Sequence, residues 1–249
     1  AELNHQTVRQ TARISLGGKR LRVVLSNSYG KQPLVLGKAT VATPAEGGSV
    51  VASSVRTLTF DGSESATILP GASLVSDPVA MTVPALSQLA VSLYVPGPAP
   101  VASFHWDGRQ TSWIVEGDQT TAQQLRIQNP ETQSTTARPW LAGIQVESEQ
   151  PARAVAVLGD SITDGATASL DKDTRWPDLL AARLAPHGVS VINAGISGAR
   201  WLADGMGVNA LARLDRDVLS QPGVRSVIVL LAINDISWAG TAFGRDAQR

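Results

Sequence analysis

The sequence predicts two domains of different class, an all-β domain over residues 1–150 and an α/β domain over residues 151–249. Three observations predict this. As far as Glu147, apolar residues fall in short alternating runs separated by Gly, Pro and Ser, with no helical period. Beyond Arg153 the pattern changes to strand, helix, strand, helix, strand. The strands of the second half are almost unbroken apolar runs, as expected of parallel strands covered on both faces. With 249 residues, 43% of them hydrophobic and 17% charged, the chain can fill two cores and is too apolar for disorder.

In the first half, residues 11–25 alternate best. Ala12, Ile14 and Leu16 precede Gly17-Gly18, and Leu21, Val23 and Leu25 follow, which predicts a hairpin turning at the glycine pair. A second hairpin is predicted over residues 56–69, with Leu58 and Phe60 before Asp61-Gly62 and Ala66 and Ile68 after it. Residues 39–43, 49–53, 89–95, 111–116 and 141–147 complete the strand set, and Pro96-Gly97-Pro98-Ala99-Pro100 reads as a stiff loop. So many short strands point to a β-sandwich.

The boundary falls between Glu147 and Arg153. Residues 154–158 form an apolar strand ended by Gly159. Pro177 opens a helix carrying Leu179, Leu180, Arg183 and Leu184, which stops near Gly188. Residues 189–192 form a second strand. A second helix spans residues 210–219, with Leu211, Leu214 and Val218 on one face, and residues 224–233 form a third strand.

Composition excludes several function classes. Lys+Arg and Asp+Glu both total 21, and the balance holds in each half, so neither a nucleic acid nor an anionic membrane is an expected partner. Cysteine is absent, which removes thiolate nucleophiles and thiolate metal sites. His5, His105 and His187 are too dispersed to suggest a metal cluster, and no organic cofactor is implied. No apolar run approaches the roughly 20 residues of a membrane span. The start at Ala1 is compatible with a removed signal peptide, and secretion or a periplasmic location is the expectation.

In open parallel sheets, ligands bind beyond the carboxyl ends of the strands. Three polar clusters sit there: Gly159-Asp160-Ser161-Ile162-Thr163-Asp164-Gly165, then Asn193-Ala194-Gly195-Ile196-Ser197-Gly198, then Asn234-Asp235. Each alone has an ordinary reading, as a helix N-cap, an exit loop or a turn satisfied by Asn and Asp. Their convergence on one rim is what points to a site.

These blocks resemble the first three sequence blocks of the SGNH (GDSL-type) hydrolases: Gly159-Asp160-Ser161-Ile162-Thr163, Asn193-x-Gly-x-x-Gly198 and Ile233-Asn234-Asp235. The resemblance spans residues 154–236 and implies a flavodoxin-like three-layer α/β/α esterase domain, incomplete in this chain. The first half is similar, more loosely, to the jelly-roll-like sandwich that precedes this domain in some bacterial members. Ser161 would then be the nucleophile. The oxyanion would be held by the backbone N–H groups of Ser161 and Gly198 and by the Asn234 amide. Asp160 and Asp235 would brace the loops. The third block departs from the family at Ala232, where glycine is usual, and a crowding methyl is the expected cost.

A serine needs a base, and the family's Asp-x-x-His block is absent. Glu2-x-x-His5 has similar spacing in a tail, His187 lies at the wrong end of the sheet, and His105 is a weaker candidate in a loop. The expectation is therefore that the catalytic Asp and His lie on a further part of the polypeptide. That part would remain associated as a separate segment, residues 240–249 forming an exposed loop with a trypsin-like end at Arg249. The expected substrate is a short-chain acyl or acetyl ester, with acetylated carbohydrate among the candidates; Trp106 and Trp113 could serve as sugar platforms, but core or interface packing is the commoner role of such rings. A non-catalytic glycan-binding protein is the main rival. A phosphate or nucleotide binder is weaker, because residues 159–165 lack the lysine and glycine spacing of a P-loop.

Overall fold

The computed structural model describes residues 1–237, and the predicted loop at residues 240–249 lies outside them. The chain divides into two units, Ala1–Glu149 and Gln150–Arg249. In the first, the principal strands are β1 (Gln6–Arg13), β2 (Gly18–Ser26), β3 (Lys38–Ala42), β4 (Arg56–Thr57) and β5 (Ser73–Val75). They continue with β6 (Val79–Val83), β7 (Gln88–Val95), β8 (Ser112–Glu116), β9 (Ser134–Thr135) and β10 (Leu141–Glu147). One sheet has the order β9-β8-β1-β7-β3-β4. In the other, β10 pairs along one edge of β2, and β5 and β6 pair along its opposite edge. Both sheets feed one apolar cluster that includes Val8, Val41, Val91 and Leu93 from the first and Leu21, Val23, Leu25 and Met81 from the second.

That shared core corrects the first predicted hairpin. β1 and β2 do not pair; β1 lies between β7 and β8, whereas β2 belongs to the other sheet. Alternation fixes which side chains point inward and leaves the partner strand open. Gly17 and Gly18 are needed for close approach rather than for a turn. A Cβ on Gly17 would stand 2.5 Å from the Val83 carbonyl oxygen, and one on Gly18 would overlap that of Glu147.

The second predicted hairpin is reduced to its turn. Phe60 and Ser63 exchange two backbone hydrogen bonds around Asp61 (φ 52°) and Gly62 (φ 81°). The flanking segments then part, Arg56–Thr57 to β3 and Ala66–Ile68 to Leu34–Leu36. Asp77 secures this turn: its carboxylate accepts from Thr59 Oγ1 (2.7 Å), Gly62 N (2.8 Å) and Asp61 N (3.1 Å). These donors, the Gly62 N–H foremost, hold its pKa below the ordinary carboxylate value. Residues 49–53 do not form a strand. A single bridge joins Val50 to Pro44, and a 3₁₀ turn follows at Ala52–Ser54. There the Ser54 hydroxyl donates to Val51 O and accepts from Thr43 N, substituting for ladder bonds.

β1 is buried on both faces. Opposite the core, the Arg9 guanidinium donates to Ser92 Oγ and to the carbonyls of Gly48, Gln119, Thr120 and Ala122. Burial pulls its pKa down to about 10, and the five acceptors offset the cost of removing the charge from water.

The second unit holds three parallel strands, β11 (Arg153–Gly159), β12 (Val189–Gly195) and β13 (Val224–Leu230), in the order β12-β11-β13. Between them lie α1 (Ser161–Asp164), α2 (Trp176–Leu184) and α3 (Ala210–Leu214), and α4 (Ile233–Ser237) follows β13. A π-helical stretch, Asp215–Leu219, continues α3. The chain leaves β11 to one side for β12 and returns to its other side for β13. That reversal is a topological switch point, and its crevice opens at the carboxyl end of β11.

Two expectations for this unit are corrected. β11 is buried through Ala156, Val157 and Leu158, but Val227, Ile228, Val229 and Leu230 of β13 are exposed. β13 has one neighbour among the described residues, so its apolar run is not covered on both faces there, and it ends at Leu230 rather than at residue 233. On α3 and its extension, Ala210, Arg213 and Val218 face inward while Leu211 is 54% exposed. Of the predicted face, Leu214 and Val218 do pack into the core, and only Leu211 gives way to Ala210 and Arg213.

Two outcomes test this fold. Gly18→Val should destabilise the first unit by about 1–3 kcal/mol, read as a lower urea midpoint. For Asp77, the folded pKa lies below the unfolded one, so its contribution is complete above the ordinary carboxylate range. It is lost as pH falls through the depressed value. Asp77→Asn should therefore flatten the acid limb of a stability-versus-pH curve measured by thermal unfolding, and an unchanged limb would refute the role.

Candidate functional site

The three polar clusters meet through a chain of hydrogen bonds. At the carboxyl end of β11, Asp160 caps α1, its Oδ1 accepting from Ile162 N at 3.0 Å. This is the ordinary N-cap reading, and it holds. It leaves the neighbouring Ser161 hydroxyl, half-buried, with no hydrogen-bond partner among the described residues. Asp160 Oδ2 is buried and also lacks one there, a spare acceptor beside the serine.

The β11 exit is tied to the β12 exit at four points. Asn193 Nδ2 donates to Thr163 O (2.9 Å), and Asn193 Oδ1 accepts from Gly195 N (2.8 Å). Ile196 N donates to Gly159 O (3.1 Å). The buried Asp164 carboxylate accepts from both Ser197 N (2.9 Å) and Ser197 Oγ (2.7 Å). Arg175 closes the other end of α1, its Nε donating to Asp164 O at 3.1 Å.

The β12 exit is tied in turn to α4. Asn234, 6% exposed, donates from Nδ2 to Ala199 O at 3.1 Å. The Asp235 carboxylate accepts from Trp201 N at 3.0 Å and 3.3 Å. Gly198, between these anchors, has φ 75°, and a Cβ there would stand 2.9 Å from Met206 Sδ. Its N–H has no partner among the described residues. The structure therefore brings Ser161, Gly198 and Asn234 into one bonded set of loops, with Asp160 and Asp235 spent on backbone N–H groups.

Ala232 departs from expectation in a different way from a crowding methyl. Its φ is 98°, a backbone region that L-residues with a Cβ rarely adopt, and its carbonyl accepts from Asp235 N and Ile236 N to start α4. Backbone strain, held in place by the anchors of Asn234 and Asp235, is the cost at this position.

His5 and His105 belong to the first unit and His187 to the second. His5 Nδ1 pairs with Tyr94 OH at 2.8 Å, with the rings edge to face. His105 pairs in register with Arg138 in a two-residue ladder of the first unit. His187 lies in the turn Ala185–His187, and the next residue, Gly188, accepts from Arg153 N at the amino end of β11, opposite Ser161. Of the tryptophans singled out, Trp106 is 69% exposed beside Phe104, whereas Trp113 is half-buried and packs on Gly48. Trp113 thus has the packing role that is the commoner one for such rings.

Sequence reasoning missed the bracing side chains. Asp164 and Asn193 stand inside the quoted blocks, but nothing in their spacing says that they cross-link two loops. Arg175 and Arg213 lie outside the blocks. The signal that pointed to Arg213 is its phase, i+3 from the buried Ala210, on the inward face of α3.

The geometry is thus a serine after the first strand of a parallel sheet, at the switch point, with the Gly198 N–H unpartnered among the described residues. Residues 157–248 match the model of the GDSL-like Lipase/Acylhydrolase family. Among solved structures, the SGNH-hydrolase family esterase AlinE4 is 34% identical over 35% of this chain and 44% of its own, with a TM-score of 0.28. The chain thus spans less than half of that relative's length. A family two carbohydrate esterase from Clostridium thermocellum, solved with cellohexaose, is 13% identical, covering 96% of this chain and 60% of its own at a TM-score of 0.27. A Bacillus subtilis protein is 17% identical, covering 92% and 47% at a TM-score of 0.27. No curated protein matches.

If Ala232 is strained, Ala232→Gly should relieve it. The expected outcome is a second unit stabilised by about 1 kcal/mol, or left no less stable if glycine's unfolded-state entropy cancels the gain. A clear loss of stability in thermal unfolding would contradict the strain.

Proposed function

We propose that the protein is a serine ester hydrolase acting through an acyl-enzyme on Ser161. The observation that carries the reading is the Ser161 hydroxyl at the switch point, unpartnered among the described residues, within a segment that matches the GDSL-like family model. Attack on an ester carbonyl builds a tetrahedral oxyanion, for which the N–H groups of Ser161 and Gly198 and the Asn234 amide are the proposed donors. Asn234 keeps one N–H on Ala199 O, which fixes the amide plane and leaves the second N–H for the oxyanion. A fixed donor costs no reorganisation as charge develops. The alcohol then departs, and water hydrolyses the acyl-enzyme.

The base is proposed to be a histidine of the family's Asp-x-x-His block, supplied by a further associated segment of the polypeptide. The substrate is proposed to be a short-chain acyl or acetyl ester. Ile162 and Ile233, exposed beside Ser161 and Asn234, and Met206, packed on Gly198, offer a small apolar rim for such a group. The first unit, with two sheets on one core, is read as a jelly-roll-like sandwich. A second reading, a glycan-binding protein without catalysis, is favoured by exposed Trp106 and Phe104, whose ring centroids lie 6.4 Å apart.

Hydrolysis of p-nitrophenyl acetate by the full polypeptide tests the proposal. Ser161→Ala should abolish turnover, and Asn234→Ala should lower kcat by about 100- to 1000-fold. Equal rates for wild type and Ser161→Ala would remove the enzyme reading and leave the glycan-binding one.

A further inference from the structure

Arg213 is a deeply buried charge of the second unit, with a side chain 1% exposed. Its guanidinium reaches the carboxyl ends of two adjacent parallel strands. Nη1 donates to Ala194 O of β12 at 2.7 Å, and Nη2 donates to Gly159 O of β11 at 3.4 Å. Asp217, one turn on in the π-helical stretch, accepts from Nη1 at 3.2 Å. Such widened turns recur at functional sites, and this one is closed by Ser220 N donating to Asp215 O at 2.8 Å.

Burying an arginine is a costly way to fill space, because an apolar side chain of similar volume generally serves stability as well. A planar fork that grips two carbonyls at a set separation does what an apolar side chain cannot. The two carbonyls it grips are informative. Gly159 lies two residues before Ser161, and Ala194 lies four residues before Gly198. Gly159 O also accepts from Ile196 N, so the fork closes the same cross-strand link from the other side. The β12 exit carries one of the three proposed oxyanion donors, Gly198 N–H, and the β11 exit carries another, Ser161 N–H.

We propose that Arg213 is a positioning residue, which sets the relative height of the two strand ends and hence the spacing of the Ser161 and Gly198 N–H groups. The inference rests on the esterase reading for its catalytic consequence, but the geometry it invokes can be read without turnover. A misplacement of about 1 Å between reacting groups is enough to cost about 100-fold in rate.

The test compares Arg213→Lys and Arg213→Met with wild type in the full polypeptide, by two readouts. The first is peptide-resolved amide hydrogen exchange. In either variant that folds, residues 159–165 and 194–198 should exchange at least about tenfold faster while β11 and α2 keep their protection. The second is turnover of p-nitrophenyl acetate. kcat should fall by about 10- to 100-fold with KM within about twofold, and Arg213→Lys, which keeps one donor, should lose less. Unchanged exchange in the two loops, or uniform acceleration across the unit, would overturn the proposal whatever the activity. So would an unchanged kcat in an active enzyme. An inactive wild type with the expected loop exchange would instead refute the esterase reading and leave the positioning role standing.

Discussion

Where parallel strands end, their last carbonyl and N–H groups lose their ladder partners and must be satisfied by something else. The second unit meets that constraint with side chains rather than with more sheet. Asn193, Asp164 and Ser197 close the gap between the β11 and β12 exits, and Asn234 and Asp235 join the β12 exit to α4. Satisfying these backbone groups internally makes the loops rigid, and rigidity is what a site for developing charge requires. Among the described residues, Ser161 Oγ and the N–H of Gly198 stay outside this network, and they are the groups that the proposed esterase reading uses.

The same network explains how a rarely occupied backbone conformation persists at Ala232. Its left-handed φ is fixed from both sides, by the strand that precedes it and by the two acceptor bonds and side-chain anchors of α4. Strain of this kind survives only when neighbours over-determine the geometry. Ala232 stands two residues before Asn234, so the strain lies in the backbone that leads into α4.

The first unit solves a related problem in another way. β1 is central in its sheet and covered on both faces, so a charged residue at Arg9 must find acceptors without water. Five acceptors, four of them carbonyls from segments far apart in sequence, supply them. In both units, then, a buried arginine fixes loops by gripping carbonyl oxygens: Arg9 behind a sheet, Arg213 at the ends of one. The fork geometry of guanidinium suits that task, whereas an ammonium would meet the same oxygens only one or two at a time.

The sequence by itself determined which residues face inward and where most strands lie, because side-chain alternation and apolar runs are local patterns. β7, β8 and β10 in the first unit and all three parallel strands of the second follow that reading. It also determined the three blocks and the serine among them, since those residues stand at strand ends. Only the tertiary structure decided strand partners. Gly17-Gly18 reads as a turn but lets the chain cross between sheets, and Asp61-Gly62 turns without building a hairpin. Only the tertiary structure, too, assigned Asp164, Arg175 and Arg213 their acceptors and donors, and put Ala232 at positive φ. Periodicity reports on a residue and its near neighbours, while a hydrogen bond across 30 or 50 positions depends on how separate loops come to rest against one another.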